Sequence, residues 1–156
     1  MPQFLAARVR EYGYSPQLID AAHEINTRMP SYVVQRVADA LNEDARPVKG
    51  SRLLLLGMAY KADVHDIRES PSLEIMRLLH ERGADVRYCD PWVPEVEVDG
   101  VLSTSAPWSA EEVEAADCVV VLTQHRQFLD EPHWDAARRI VDTRNVVPDG
   151  PSVHRI

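Results

Sequence analysis

This 156-residue sequence predicts an α/β fold, a parallel sheet with helices on both faces preceded by an α-helical segment, on three observations. Two runs are apolar at every position, residues 53–56 (four leucines) and residues 118–122 (Cys-Val-Val-Val-Leu). Such runs suit strands covered on both faces. Beyond residue 50, strand patterns alternate with helix patterns, which means βαβ units and a parallel sheet. Before it, residues 3–44 carry helix-period apolar stripes with no strand-like alternation.

Taken in order, Phe4, Leu5, Ala7 and Val9 form a short helix closed by Gly13. Ser15-Pro16 is a cap-plus-proline start for a second helix, whose stripe is Leu18, Ile19, Ala22, Ile25 and Met29. Pro30-Ser31 is expected to break that helix and start another, burying Val33, Val34, Val37, Ala38 and Leu41. Residues 42–50 are polar and hold Pro and Gly, so a boundary is placed there, dividing 1–46 from 47–156. The first strand, 53–56, stops at Gly57. Ser70-Pro71 starts a helix that buries Ile75, Met76, Leu78 and Leu79 and ends at Gly83. Residues 86–89 form the next strand, closed by Asp90-Pro91. Short strands are expected at 96–98 and 101–102. Ser109-Ala-Glu-Glu112 is a capping box, so a short helix begins there. The strand at 118–123 follows, then a helical segment at 134–139 and a last strand at 140–142. The whole is a Rossmann-like parallel sheet.

Composition narrows the function. A formal charge of −8 with no basic stripe argues against nucleic-acid binding. No apolar run approaches membrane-spanning length, and the N-terminus has no signal-peptide pattern, so a cytoplasmic protein is expected. Cys89 and Cys118 match no metal-ligand spacing, and each lies in an apolar strand pattern with no cation beside it, so both read as core residues.

In an open α/β sheet, ligands sit beyond the carboxyl ends of the strands. Three loops meet that condition: residues 57–69, 123–126 and 142–145. They bring Lys61, Arg68, His125, Arg126 and Arg144 toward one crevice, cations on an otherwise acidic chain. Lys61 is one of only two lysines against fifteen arginines. Such a cluster fits a diphosphate, with Arg as a forked donor and Lys as a point charge. The Gly57 turn is not a dinucleotide fingerprint, because Ala59 and Ala62 stand where G-x-G-x-x-G needs its second and third glycines. Asp90 is placed like a ribose-binding acid, but the missing glycines and Pro91 favour a plain loop.

Gly57-Met-Ala-Tyr-Lys61, Asp66-Ile-Arg-Glu-Ser-Pro-Ser72 and Gly83-Ala-Asp-Val-Arg-Tyr-Cys-Asp-Pro91 resemble the C-terminal domain of the UDP-glucose/GDP-mannose dehydrogenase family. These enzymes are NAD-dependent nucleotide-sugar 6-dehydrogenases. The resemblance runs from Phe4 to about Val147. It implies that Tyr60 and Lys61 contact the nucleotide sugar, that Arg144 in Asp-Thr-Arg-Asn binds substrate, and that Arg68 reaches NAD across the interdomain cleft, with Asp66 and Glu69 orienting it. It also implies that residues 1–46 end the central helical domain through which the family forms homodimers. The family oxidises its primary alcohol twice through a cysteine that lies just upstream of a start like Pro2-Gln-Phe-Leu5. The expectation is therefore a C-terminal portion without catalytic residues, with NAD bound mainly by a half not in this sequence. The competing expectation is a free-standing nucleotide-sugar-binding or regulatory module. Ala-Tyr-Lys-Ala-Asp-Val, Thr-Gln-His and Asp-Thr-Arg-Asn look closest to members acting on UDP-N-acetylhexosamines.

Overall fold

The computed structural model describes residues 2–156. Helix α1 (Pro2–Glu11) precedes α2 (Gln17–Asn42). The expected break at Pro30 does not occur: α2 is one 26-residue helix with Pro30 inside it. Pro removes one ladder hydrogen bond and crowds the preceding turn, yet packing outweighs that. Pro30 is buried, and Val33, Val34, Val37, Ala40 and Leu41 share one core with Leu53, Leu55, Ile75 and Leu79. Ser15 does not cap α2 either, since the cap position is Pro16 and no side chain bonds there.

Strand β1 (Arg52–Leu56), helix α3 (Pro71–Glu81) and strand β2 (Asp85–Cys89) follow as one βαβ unit. Ser70 caps α3 through its hydroxyl, which accepts from Ser72 N–H, and Pro71 opens the helix. Strands β3 (Glu95–Val98) and β4 (Val101–Thr104) form an antiparallel hairpin closed by Asp99-Gly100, both at positive φ. That two-residue turn matches strand twist, and Asp-Gly is its sequence signature. Helix α4 (Ala110–Ala115) starts at Ser109, whose hydroxyl accepts from Glu112 N–H. Strand β5 (Cys118–Val121) leads to α5 (Arg126–Asp130). A single 3-10 turn (Trp134–Ala136) stands where a longer helix was expected. Strands β6 (Ile140–Asp142) and β7 (Val153–Arg155) close the chain, and the expectation had ended before β7.

The main sheet is entirely parallel, in the order β2-β1-β5-β6-β7. Its two faces explain the unbroken apolar runs. Leu53 and Leu55 point to a core shared with α2 and α3, whereas Leu54 and Leu56 point to a second core shared with Val113 of α4 and Phe128 of α5. Every position of β1 from 53 onward is therefore buried. The polar joint after α2 is tied down by charge: Arg46 pairs with Asp117 at 3.0 Å, and Arg139 pairs with Glu43 and Asp44 at 3.0 and 2.7 Å.

The amino-terminal half of α2 differs from its expected burial. Leu18 is 84% and Ile25 61% exposed, and Phe4, Tyr12 and Tyr14 are exposed beside them. Among the described residues, no helix is long and apolar enough to cross a membrane.

Candidate functional site

The strand order sets the site. β1 lies between β2 and β5, so the chain reverses its winding direction between β1 and β5, where open α/β sheets leave a crevice at the carboxyl edge. Gly57 ends β1 there with φ +89. A Cβ on it would lie 2.5 Å from both the Cβ and the carbonyl oxygen of Thr123, so only glycine lets the ends of β1 and β5 approach this closely. Thr123 uses the proximity: its hydroxyl donates to Ala59 O at 2.8 Å, and its N–H donates to Leu56 O at 3.0 Å.

Asp90, at the end of β2, is the anchor of this edge. Its Oδ2 accepts from Met58 N–H (2.7 Å), Ala59 N–H (2.9 Å) and His125 Nε2 (2.9 Å), and its Oδ1 accepts from Trp92 and Val93 N–H. Burial alone would push this carboxyl up, but the bonds from His125, Ala59 and Trp92 together hold it below its ordinary value. Asp90 is thus the plain loop former its sequence context suggested, and its oxygens are not free for a ribose. Asp142 does the same work after β6, accepting from the N–H groups of Arg144, Asn145, Val146 and Val147.

His125 departs from its expected role. It is fully buried, not a cation facing the crevice. Asp63 N–H donates to its Nδ1 at 2.9 Å, so Nδ1 carries no proton and the neutral ring donates from Nε2 to Asp90. The remaining cations do stand on the carboxyl edge. Lys61 is exposed, with Nζ 5.8 Å from the centre of the half-exposed Tyr60 ring. It has no carboxylate partner among the described residues. Arg144, also exposed, follows β6, and its Nε donates to Leu122 O at 2.5 Å, which lays it across the end of β5. Lys61 and Arg144 therefore rise from the strands on either side of β5.

Arg68 projects with 87% of its side chain exposed. Its Nε and Nη2 grip Asp66 at 3.0 Å each, and the Arg68 guanidinium, then its backbone N–H, hold the Asp66 carboxyl at about 2. Asp66 orients Arg68, whereas Glu69, at φ +57, makes no hydrogen bond to it among the described residues. Arg126 lines a cleft of about 560 Å³ with Asp63, Trp92, Asp130 and Glu131. Three carboxylates in that cleft, Asp63, Asp130 and Glu131, disfavour a diphosphate there.

Two further chemistries are tested by the geometry. A dinucleotide does not fit the β1 turn of this chain. The Met58 and Ala59 N–H groups that would face its pyrophosphate are bonded to Asp90 instead. Both cysteines are buried thiols: burial, then the charges of Asp90 and Glu112, pushes Cys89 up to about 12, and burial is the largest cause that pushes Cys118 up to about 12.

With this geometry in place, comparison with known proteins is specific. The model of the UDP-glucose/GDP-mannose dehydrogenase family, UDP binding domain, matches residues 54–153. A UDP-N-acetyl-D-mannosamine dehydrogenase of Methanococcus maripaludis is 35% identical over 139 residues, covering 84% of this chain and 31% of that protein. A UDP-N-acetyl-D-glucosamine 6-dehydrogenase of Salmonella typhi is 29% identical over 130 residues, covering 81% and 30%. The solved structure of a UDP-D-ManNAc dehydrogenase from Pyrococcus horikoshii superposes with a TM-score of 0.77 at 26% identity, covering 92% of this chain and 34% of that one. The chain spans about a third of the length of the curated relatives it matches.

Proposed function

Because this chain belongs to the UDP-glucose/GDP-mannose dehydrogenase family, we propose that it supplies the nucleotide-sugar half of an NAD-dependent nucleotide-sugar 6-dehydrogenase. The reaction converts the C6 alcohol of a UDP-sugar to a carboxylate in two oxidations. In this reading, Lys61 and Arg144 take the diphosphate from two directions and Tyr60 contacts the nucleotide sugar. The observation that carries it is the placement, on the loops flanking β5, of two cations with no carboxylate partner among the described residues, on a chain of net charge −8. Arg68, held outward by Asp66, is the residue through which this chain touches NAD bound elsewhere. The relatives from Methanococcus maripaludis and Salmonella typhi, dehydrogenases of UDP-N-acetyl-D-mannosamine and UDP-N-acetyl-D-glucosamine, favour a UDP-N-acetylhexosamine as the sugar.

Residues 1–46 and 47–156 have separate roles in this proposal. The second part closes the cleft. The exposed face of α1 and α2, with Phe4, Leu18 and Ile25, packs on a second copy of the chain to give a homodimer. Calorimetry with UDP-N-acetylglucosamine, GDP-mannose and dTDP-glucose tests the central reading. UDP-N-acetylglucosamine should bind, weakened at least several-fold by Lys61→Ala or Arg144→Ala, since a charge-assisted contact contributes about 1.5–3 kcal/mol when desolvated and less when open to water. Equal binding by the double variant would reject it.

A further inference from the structure

We propose that His125 is a positioning residue: its Nδ1 holds the Asp63 amide and so fixes where Tyr60 and Lys61 stand. The inference rests on the reading that those two side chains meet the nucleotide sugar. What it adds is the part that sets their place, which touches no ligand itself.

Tyr60 and Lys61 are bracketed. On one side, Met58 and Ala59 N–H bond to Asp90, which the same imidazole holds through Nε2. On the other, Asp63 N–H bonds to Nδ1 of that ring. The ring therefore meets both ends of the segment that presents Tyr60 and Lys61. Nδ1 is the acceptor for Asp63 N–H, whereas Asp90 is held also by Trp92 and Val93 N–H. Tyr60 N–H to Asp66 O closes the loop at 2.6 Å. Asp63 needs such a hold. It sits at φ +58, a conformation that costs a non-glycine residue free energy and persists where its surroundings impose it. Arg126 N–H completes the grip by donating to Asp63 Oδ1 at 3.0 Å, so the pair 125–126 clamps Asp63 at its amide and at its carboxylate.

The ring itself has little freedom. It is fully buried, and the Phe128 ring meets it edge-on with centroids 5.6 Å apart. A histidine that merely filled space would need no particular nitrogen facing Asp63. Here the backbone donor demands an unprotonated Nδ1, and the carboxylate of Asp90 demands a protonated Nε2. The two partners lie on different loops, so the tautomer and the loop positions are set together.

Amide side chains separate the two bonds. In His125→Asn the side-chain oxygen can replace Nδ1 toward Asp63, whereas in His125→Gln the amide reaches Asp90 and leaves Asp63 without its acceptor. The test is nitrogen-detected and amide-exchange NMR on the full chain, with UDP-N-acetylglucosamine affinity measured alongside. The wild type should show the Nε2–H tautomer and a slowly exchanging Asp63 amide. His125→Asn should keep that amide slow and the affinity within about 3-fold. His125→Gln should release it, shift the amides of residues 60–66, and lower affinity on the order of 10-fold. The Nδ1–H tautomer, an Asp63 amide that behaves alike in both variants, or a released loop with unchanged affinity would overturn the proposal. If His125→Gln does not fold, the wild-type tautomer and Asp63 exchange decide it. If the wild type binds no UDP-N-acetylglucosamine, the nucleotide-sugar reading fails. The NMR comparison still decides the clamp: unmoved 60–66 amides in His125→Gln reject it.

Discussion

Replacing Gly57 by Ala isolates the contact that joins the two central strands at the site. Two costs add. An alanine held at φ +89 loses about 1–2 kcal/mol to left-handed strain. The new methyl would stand 2.5 Å from the Cβ and carbonyl oxygen of Thr123 and 2.8 Å from its nitrogen, so backbone must move. Overpacking of that kind costs about 1–3 kcal/mol more. Gly100→Ala is the matched control, because Gly100 has φ +77 but nothing within 4 Å of its added Cβ. Urea unfolding should therefore show Gly57→Ala destabilised by roughly 2–5 kcal/mol and Gly100→Ala by only about 1–2 kcal/mol, with unchanged denaturant slopes. Gly57→Ala should also disturb ligand binding, since the Thr123 hydroxyl holds Ala59 O beside Tyr60. Equal losses for the two variants would refute the close-approach explanation.

Asp90 carries a pH signature. Its folded carboxyl lies below the ordinary value of 3.8, so it contributes stability that is complete above that value and is lost as pH falls through the folded one. Unfolding measured from about pH 5 to pH 2 should show this loss, and Asp90→Asn should flatten it while lowering stability by at least ~3 kcal/mol through stranded donors. In the native state, Cys89 and Cys118 should alkylate at least about 100-fold more slowly than in the unfolded chain, by mass spectrometry at mildly alkaline pH. Fast native labelling of either would contradict their burial.

What was legible in the sequence was local. The leucine run, Gly57, Ser70-Pro71 and Ser109 are each read within a few residues, and the elements they mark are present. The parallel pairing of β1 with β5 agrees with two runs that are apolar at every position. Failures came where distant contacts outweighed local signals. Pro30 breaks an isolated helix, but residues 33–41 of α2 are fastened to the domain core. His125 beside Arg126 reads as a loop cation, whereas its partners are Asp63 and Asp90, 62 and 35 residues away in sequence. Neither spacing leaves a trace in a single chain. The five-donor role of Asp90 was half visible, since Asp before Pro in a turn often bonds to the backbone that follows it.

The placement of the ligand on the loops flanking β5 is tested most directly by NMR mapping of UDP-N-acetylglucosamine on the full chain. Amides of residues 58–66 and 143–147 should shift on titration, while β4 and the amino edge of β2 stay still. Shifts confined to the β3–β4 hairpin or to the opposite edge of the sheet would contradict it.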